Sequence, residues 1–254
     1  MEQIEPNNPA ARLHRIISRA KEFTYGPANK GEAGNLWAGV FDLPPSTLPV
    51  SGPVLQEVIS RLLQLDKLIT ETEESLRRIE GLPEKYFQPF ERIRKIPERS
   101  LISLSSDIRE IIRNVTPVDM TVLDFCSDKL EEQHAEIVVS DDELQALLED
   151  VNQLFDEVKT AKVDPSLQTF ILDGLESIRR GIYEFRIRGS ERLKETIGEI
   201  VGSLYVNHKV VEAAGEDDSL EKFNKLFNRL SAMVTFANTS VKLLTAFAAP
   251  LLPG

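Results

Sequence analysis

Along most of this 254-residue chain, apolar side chains recur at spacings of three and four, the period of a helix with one buried face. The first such stretch follows Asn8 and Pro9, a helix cap with proline at the first helical position, and its face is Leu13, Ile16, Ile17 and Ala20. From Thr24 to Pro53 glycine and proline interrupt the pattern, except for the short amphipathic piece NLWAGVFDL, which carries the single tryptophan, Trp37, and Phe41. Such a piece either plugs into its own domain or presents Trp37 and Phe41 to a partner protein.

The most regular seam comes next: Leu55, Val58, Leu62, Leu65, Ile69, Thr72, Leu76 and Ile79. It predicts a long helix, in an intramolecular bundle or in a coiled coil between subunits. Pro83, Pro89 and Pro97 are expected to break the chain after it. Short helices are predicted near 106–114 and 119–133, and the S-x-x-E box of Ser140 and Glu143 opens a helix with Leu144, Leu147, Leu148, Val151, Leu154, Phe155 and Val158 on its face. Asp164 and Pro165 start another, which ends near Gly189; Ser190 restarts helix, and Ser219 is expected to cap the last one. The fold class is therefore all-α, a multi-helix bundle with a long C-terminal amphipathic helix. Its expected divisions are an N-terminal helix and linker (1–52), a helical bundle (53–211) and the C-terminal helix (216–254).

That last helix has two characters. Leu220, Phe223, Phe227, Leu230, Val234, Ala237, Val241, Leu244 and Ala248 form one apolar face over about 45 Å. Beyond Arg229 the only charged side chain is Lys242, and Ser231, Thr235, Asn238, Lys242 and Thr245 line up as a mildly polar stripe. A single spanning helix is disfavoured, because a central charge costs about 2.5–3.5 kcal/mol while each Leu or Phe returns only about 0.3–0.6. An oligomer with the stripe facing a wet interior removes that objection, and a soluble bundle with residues 230–252 in its core is the alternative.

Composition narrows the function classes. With 41% hydrophobic and 28% charged residues the chain has the profile of a folded domain. The net charge of −11 argues against broad, non-specific binding to nucleic acid or anionic lipid. A lone cysteine, Cys126, excludes an internal disulfide framework, and the acidic N-terminus MEQIEPNNPA has no signal-peptide core, so a cytosolic location is expected for most of the chain. His14, His134 and His208 are the whole imidazole supply; Glu131 and His134 form one E-x-x-H spacing without the second pair that a di-iron bundle needs. Phosphate-loop, dinucleotide and nucleophile-elbow motifs are absent, so no enzyme, metal or cofactor is expected.

Charge is nonetheless uneven. Residues 131–150 hold eight acidic and no basic side chains, whereas 179–194 hold Arg179, Arg180, Arg186, Arg188, Arg192 and Lys194 against Glu184 and Glu191. These six form a candidate anion site, for a nucleotide or short oligonucleotide, where a new helix begins. The alternative is that they pair with the acidic 131–150 stretch or with solvated neighbours.

The segments NLWAGVFDL, QPFERIRK and IYEFRIRGSERL resemble an uncharacterised family of helical bacterial proteins of accessory genomes, over most of residues 10–207. The resemblance brings no catalytic motif. It implies a setting in phage defence, where a sensor domain is paired with a membrane-perturbing segment. The expected function is accordingly a non-enzymatic effector whose C-terminal segment oligomerises in or on a membrane under the control of a helical domain. The competing expectation is a soluble helical adaptor acting through protein contacts.

Overall fold

The computed structural model describes residues 7–25, 32–43, 52–133 and 139–235. Among these the protein is all-α, with helices α1 (Pro9–Tyr25), α2 (Ala33–Val40), α3 (Gly52–Arg77), α4 (Gln88–Ile102), α5 (Arg109–Arg113), α6 (Pro117–Gln133), α7 (Asp141–Thr160), α8 (Pro165–Arg188), α9 (Ser190–Val206), α10 (His208–Ala214) and α11 (Asp218–Thr235). They form two compact units. The first comprises Met1–Val138 with Arg186–Gly189, and the second Val139–Phe185 with Ser190–Gly254.

These divisions differ from those expected at 52/53 and 211/216. The apolar faces of α1 and α2 are buried in one core with those of α3, α4 and α6, so residues before 53 are no separate linker. Likewise α11 packs on α7 and α9, which makes it an integral part of the second unit.

In the first unit the Asn8 carboxamide oxygen accepts from the Ala11 amide at 3.1 Å, while its amide group donates to the Ser127 carbonyl at 3.0 Å. One side chain thus caps α1 and ties it to α6. The predicted face Leu13, Ile16, Ile17 and Ala20 is buried. So is the seam of α3 from Val58 to Leu76, packed within its own unit against α1, α2 and α4. Ile79 falls just beyond the helix, in the turn closed by its amide on the Leu76 carbonyl at 3.0 Å.

Two of the expected proline breaks are not breaks. Pro89 occupies the first turn of α4, where no amide hydrogen is needed, and Pro97 lies inside the helix. The cost at Pro97 is one missing bond to the Ile93 carbonyl, offset by burial of Phe90, Ile93, Ile96 and Pro97 itself. Helix α6 opens with a reciprocal cap. The Asp119 carboxylate accepts from the Thr116 amide (2.8 Å) and hydroxyl (2.9 Å), and the Thr116 hydroxyl accepts from the Asp119 amide (3.2 Å). Arg92 of α4 closes on the same carboxylate through Nε at 2.9 Å and through a second, shorter bond.

The second unit is an up-and-down bundle of α7, α8, α9 and α11. Gln168 reaches the Val158 carbonyl and Arg179 reaches Asn152, so α7 and α8 run antiparallel. Arg192 pairs with Glu184 and Gly181 faces Thr196, which reverses direction again in α9. Lys222–Glu157 (3.0 Å) and Arg229–Asp150 (2.5 Å) align α11 antiparallel to α7. The Ser140–Glu143 capping box is present as read from the sequence. Helix α11, however, is capped by Asp217, whose carboxylate accepts from the Ser219 and Leu220 amides at 2.9 and 3.2 Å; Ser219 is already inside the helix. The expected continuation of the C-terminal helix through Ala248 lies outside the described residues. No helix among the described residues is long and apolar enough to cross a membrane.

Close packing gives a sign test at two helical glycines. A Cβ on Gly174 would sit 2.5 Å from the buried Phe223 ring, whereas one on Gly198 would meet nothing within 4 Å. Gly174→Ala is expected to destabilise the protein by about 1–3 kcal/mol through overpacking. In a chain ending at Thr235, where nothing can approach α9 at this position, Gly198→Ala is expected to stabilise it by about 0.5–1 kcal/mol through lower backbone entropy in the unfolded chain. Denaturant melts of the two variants check both signs.

Burial opposes ionisation of Asp119, yet Arg92 and the Thr116 donors outweigh it and hold the carboxyl below its ordinary value of 3.8. A depressed carboxyl stabilises the fold above its unfolded value, and that contribution fades as pH falls through the native one. Asp119→Asn should therefore lower stability at neutral pH and flatten its acid dependence as pH falls below about 4. Thermal melts across that range distinguish the two proteins.

Candidate functional site

The six basic residues of 179–194 do not form one site. Arg179, on α8, lies over the Phe155 ring at 4.5 Å and donates to Asn152 (2.9 Å) and Glu176 (2.8 Å). Arg180 is exposed. Arg192 is buried, with 4% of its side chain accessible, and its guanidinium meets Glu184 at 2.5 Å, Glu199 at 2.9 Å and Glu195 at 3.6 Å. Burial alone would favour loss of its proton, but these carboxylates reverse that and hold its pKa above the ordinary value. Lys194 pairs with Glu191 at 2.5 Å on the surface. Arg192 is therefore a core ion-pair centre whose charge is already spent on carboxylates. The partners of Arg179, Arg192 and Lys194 come from 152, 176, 184, 191, 195 and 199, not from the acidic stretch 131–150. In that stretch Asp150 pairs with Arg229 and Glu132 with Lys129.

Arg186 and Arg188 belong to the first unit, at the end of α8. There Arg186 reaches the Asp42 carboxylate at 2.6 Å, and Arg19 of α1 grips the same carboxylate through two donors, one at 2.7 Å. Asp42 follows α2 with a left-handed backbone, φ 53°, a conformation that aspartate tolerates better than most residues. Burial pushes its carboxyl up, but the two guanidinium groups prevail and keep it below the usual range. Next to them the Arg12 guanidinium, 1% exposed, donates from Nε to the Ile187 carbonyl at 3.1 Å and from a terminal nitrogen to the Asn7 carbonyl, and lies 3.7 Å from Glu71. A cation at the carbonyl end of a helix is the favourable sign for its dipole. Arg15, one turn from Arg19, donates to the Asn7 carboxamide at 3.0 Å. Arg12 and Arg19 were not singled out in the sequence; what signals them is their i, i+7 spacing on α1.

Trp37 and Phe41 are plugs and not contact residues. Trp37 has no accessible surface, stacks on Phe41 at 5.3 Å and donates its indole N–H to the Ser100 hydroxyl at 2.8 Å. The expectation that they meet a partner fails because the first unit's own core covers them. Ser231, the first residue of the proposed polar stripe, is also buried, beside Leu230 on the inner side of α11. Thr235 ends the described chain; Asn238, Lys242 and Thr245 lie outside it, as does His134.

Other chemistry-bearing groups are tied down. Cys126 is fully buried and its thiol is pushed up to about 12, so it stays protonated at neutral pH. A groove of about 760 Å³ in the first unit is lined by Glu73, Arg77, Phe87, Arg94 and Glu98. Glu73 there accepts from both Arg77 and Arg94 at 2.8 Å, and Arg77 stacks over Phe87 at 4.3 Å. No cluster of three metal-ligating side chains occurs among the described residues.

No family model, curated protein or solved structure matches this chain.

The ranking of the basic residues is measurable. Arg192→Ala removes a buried guanidinium and leaves the largely covered Glu184 carboxylate, 14% exposed, without its partner, and is expected to cost at least about 2 kcal/mol. Lys194→Ala, an exposed pair, should change stability by less than about 0.5 kcal/mol. Equal effects in urea melts would show that burial does not set the difference.

Proposed function

We propose that this chain is a non-enzymatic helical effector whose C-terminal segment, residues 230–252, oligomerises in or on a membrane under the control of its helical units. One observation carries it. The 25 residues after Arg229 hold a single charged side chain, Lys242, although 28% of the whole chain is charged. A terminal tract so poor in charge asks for an apolar environment. In an oligomer the stripe of Thr235, Asn238, Lys242 and Thr245 would face a wet interior and the apolar side would meet lipid. Of the basic run 179–194, Arg186 and Arg188 are the anion-responsive element of this reading, with a nucleotide or short oligonucleotide as the ligand class. The resemblance to accessory-genome proteins extends the proposal to phage defence.

A soluble adaptor is the second reading, and the burial of Ser231 and Val234 within the four-helix bundle favours it. In that case the C-terminal tract completes a core or a homo-oligomer interface.

Fractionating cells that express the full chain, or a truncation ending at Thr235, separates the two. The full chain is expected in the membrane fraction as an oligomer, and the truncation in the soluble fraction. Full-length protein that stays soluble and monomeric sinks the membrane reading. Val241→Asp should abolish membrane association while the helical units still melt cooperatively; a variant that instead unfolds them supports the adaptor.

A further inference from the structure

We propose that the exposed apolar end of α9 is the docking seat for this chain's own C-terminal segment, residues 236–254. The seat is built from side chains that a solvated helix surface would not choose. Tyr205 and Val206 are 79% and 77% exposed, and α10, which follows with Val210 and Val211, buries none of its residues. On the same side of α9, spaced by four and three, stand Gly198, Gly202 and Tyr205. Open space surrounds both glycines. Glycine inside an exposed helix weakens it relative to alanine, so two in register ask for a gain that only a missing Cβ supplies. That gain is close approach of another chain segment to the helix backbone.

Connectivity selects the occupant. Helix α11 runs antiparallel to α9, because α9 is parallel to α7 while Lys222–Glu157 and Arg229–Asp150 set α11 against α7. Thr235 is therefore at the end of the bundle where α9 begins. From Ser190 to Tyr205 the helix rises about 22 Å. The 19 residues after Thr235 reach about 28 Å at helical rise and about 60 Å extended, enough in either case to return along α9. Tethering raises the effective concentration of the segment, so a modest apolar face suffices to hold it. The charges also fit. Lys242 is the segment's one cation, and the half-exposed Glu195 and Glu199 lie along α9. The seat would shield the charge-poor tract from water and release it on demand. This part of the inference rests on the effector reading above; the docking itself does not.

Limited proteolysis of the full chain without membranes tests it, with cleavage sites read by mass spectrometry. Gly198→Leu/Gly202→Leu fills the seat at positions where an added side chain meets nothing, and Tyr205→Asp/Val206→Arg is a second route to the same end. Val118→Arg, an exposed position of the first unit, is the control. Either double variant should speed cleavage within 236–254 about ten-fold, since the rate follows the open population, and the control should not. Equal cleavage in wild type and both double variants overturns the proposal. Protection that vanishes on dilution overturns it too, because the occupant is then a second copy. Vesicle partitioning keeps the two readings apart. Faster cleavage without vesicle binding leaves the docking seat standing and sinks the membrane effector; vesicle binding with no difference in cleavage does the reverse.

Discussion

A guanidinium with 1% of its surface exposed is the constraint around which the first unit is arranged. A buried cation without hydrogen-bond acceptors costs several kcal/mol, so Arg12 dictates that acceptors surround it. The Ile187 carbonyl, the Asn7 carbonyl and the Glu71 carboxylate do so from the end of α8, the start of α1 and the middle of α3. These three places are far apart in sequence. Satisfying one side chain therefore requires that they be brought together, and the neighbouring Arg19–Asp42–Arg186 pairing adds the turn after α2. The apolar core stabilises this arrangement, and the arginines make it specific.

The second unit uses the same device once, at Arg192. Its three carboxylates come from α8 and α9, so the antiparallel reversal at Gly189, where φ is 63°, is fastened by charge immediately beside the turn. Farther along, the contacts are apolar or aromatic, as in the edge-on pair Phe170–Phe223 at 5.7 Å. The exposed ion pairs of α11 add orientation and little stability.

Local signals were legible wherever a residue and its partner are close in sequence. The Asn8 cap, the Ser140–Glu143 box and the α3 seam are of this kind, since a cap or a helical face is settled within one or two turns. Where two local rules compete, reading is less secure. Pro97 looks like a helix breaker until burial of its neighbours is counted, and Asp217 caps α11 two residues earlier than Ser219 would. The arginines of 179–194 looked like one patch because sequence adjacency hides direction. On a helix they point to different sides, and their carboxylate partners stand up to 144 residues away.

By itself, then, the amino-acid sequence determined the helical class, most helix limits and which faces are apolar, because these follow from backbone propensity and a period of 3.6. Only the tertiary structure decided that Trp37 is sealed in a core, that Arg12 and Arg192 are interior charges, and that α9 keeps an uncovered apolar end. Burial depends on what the rest of the chain brings alongside, and long-range pairing of charges leaves no periodic trace in the sequence.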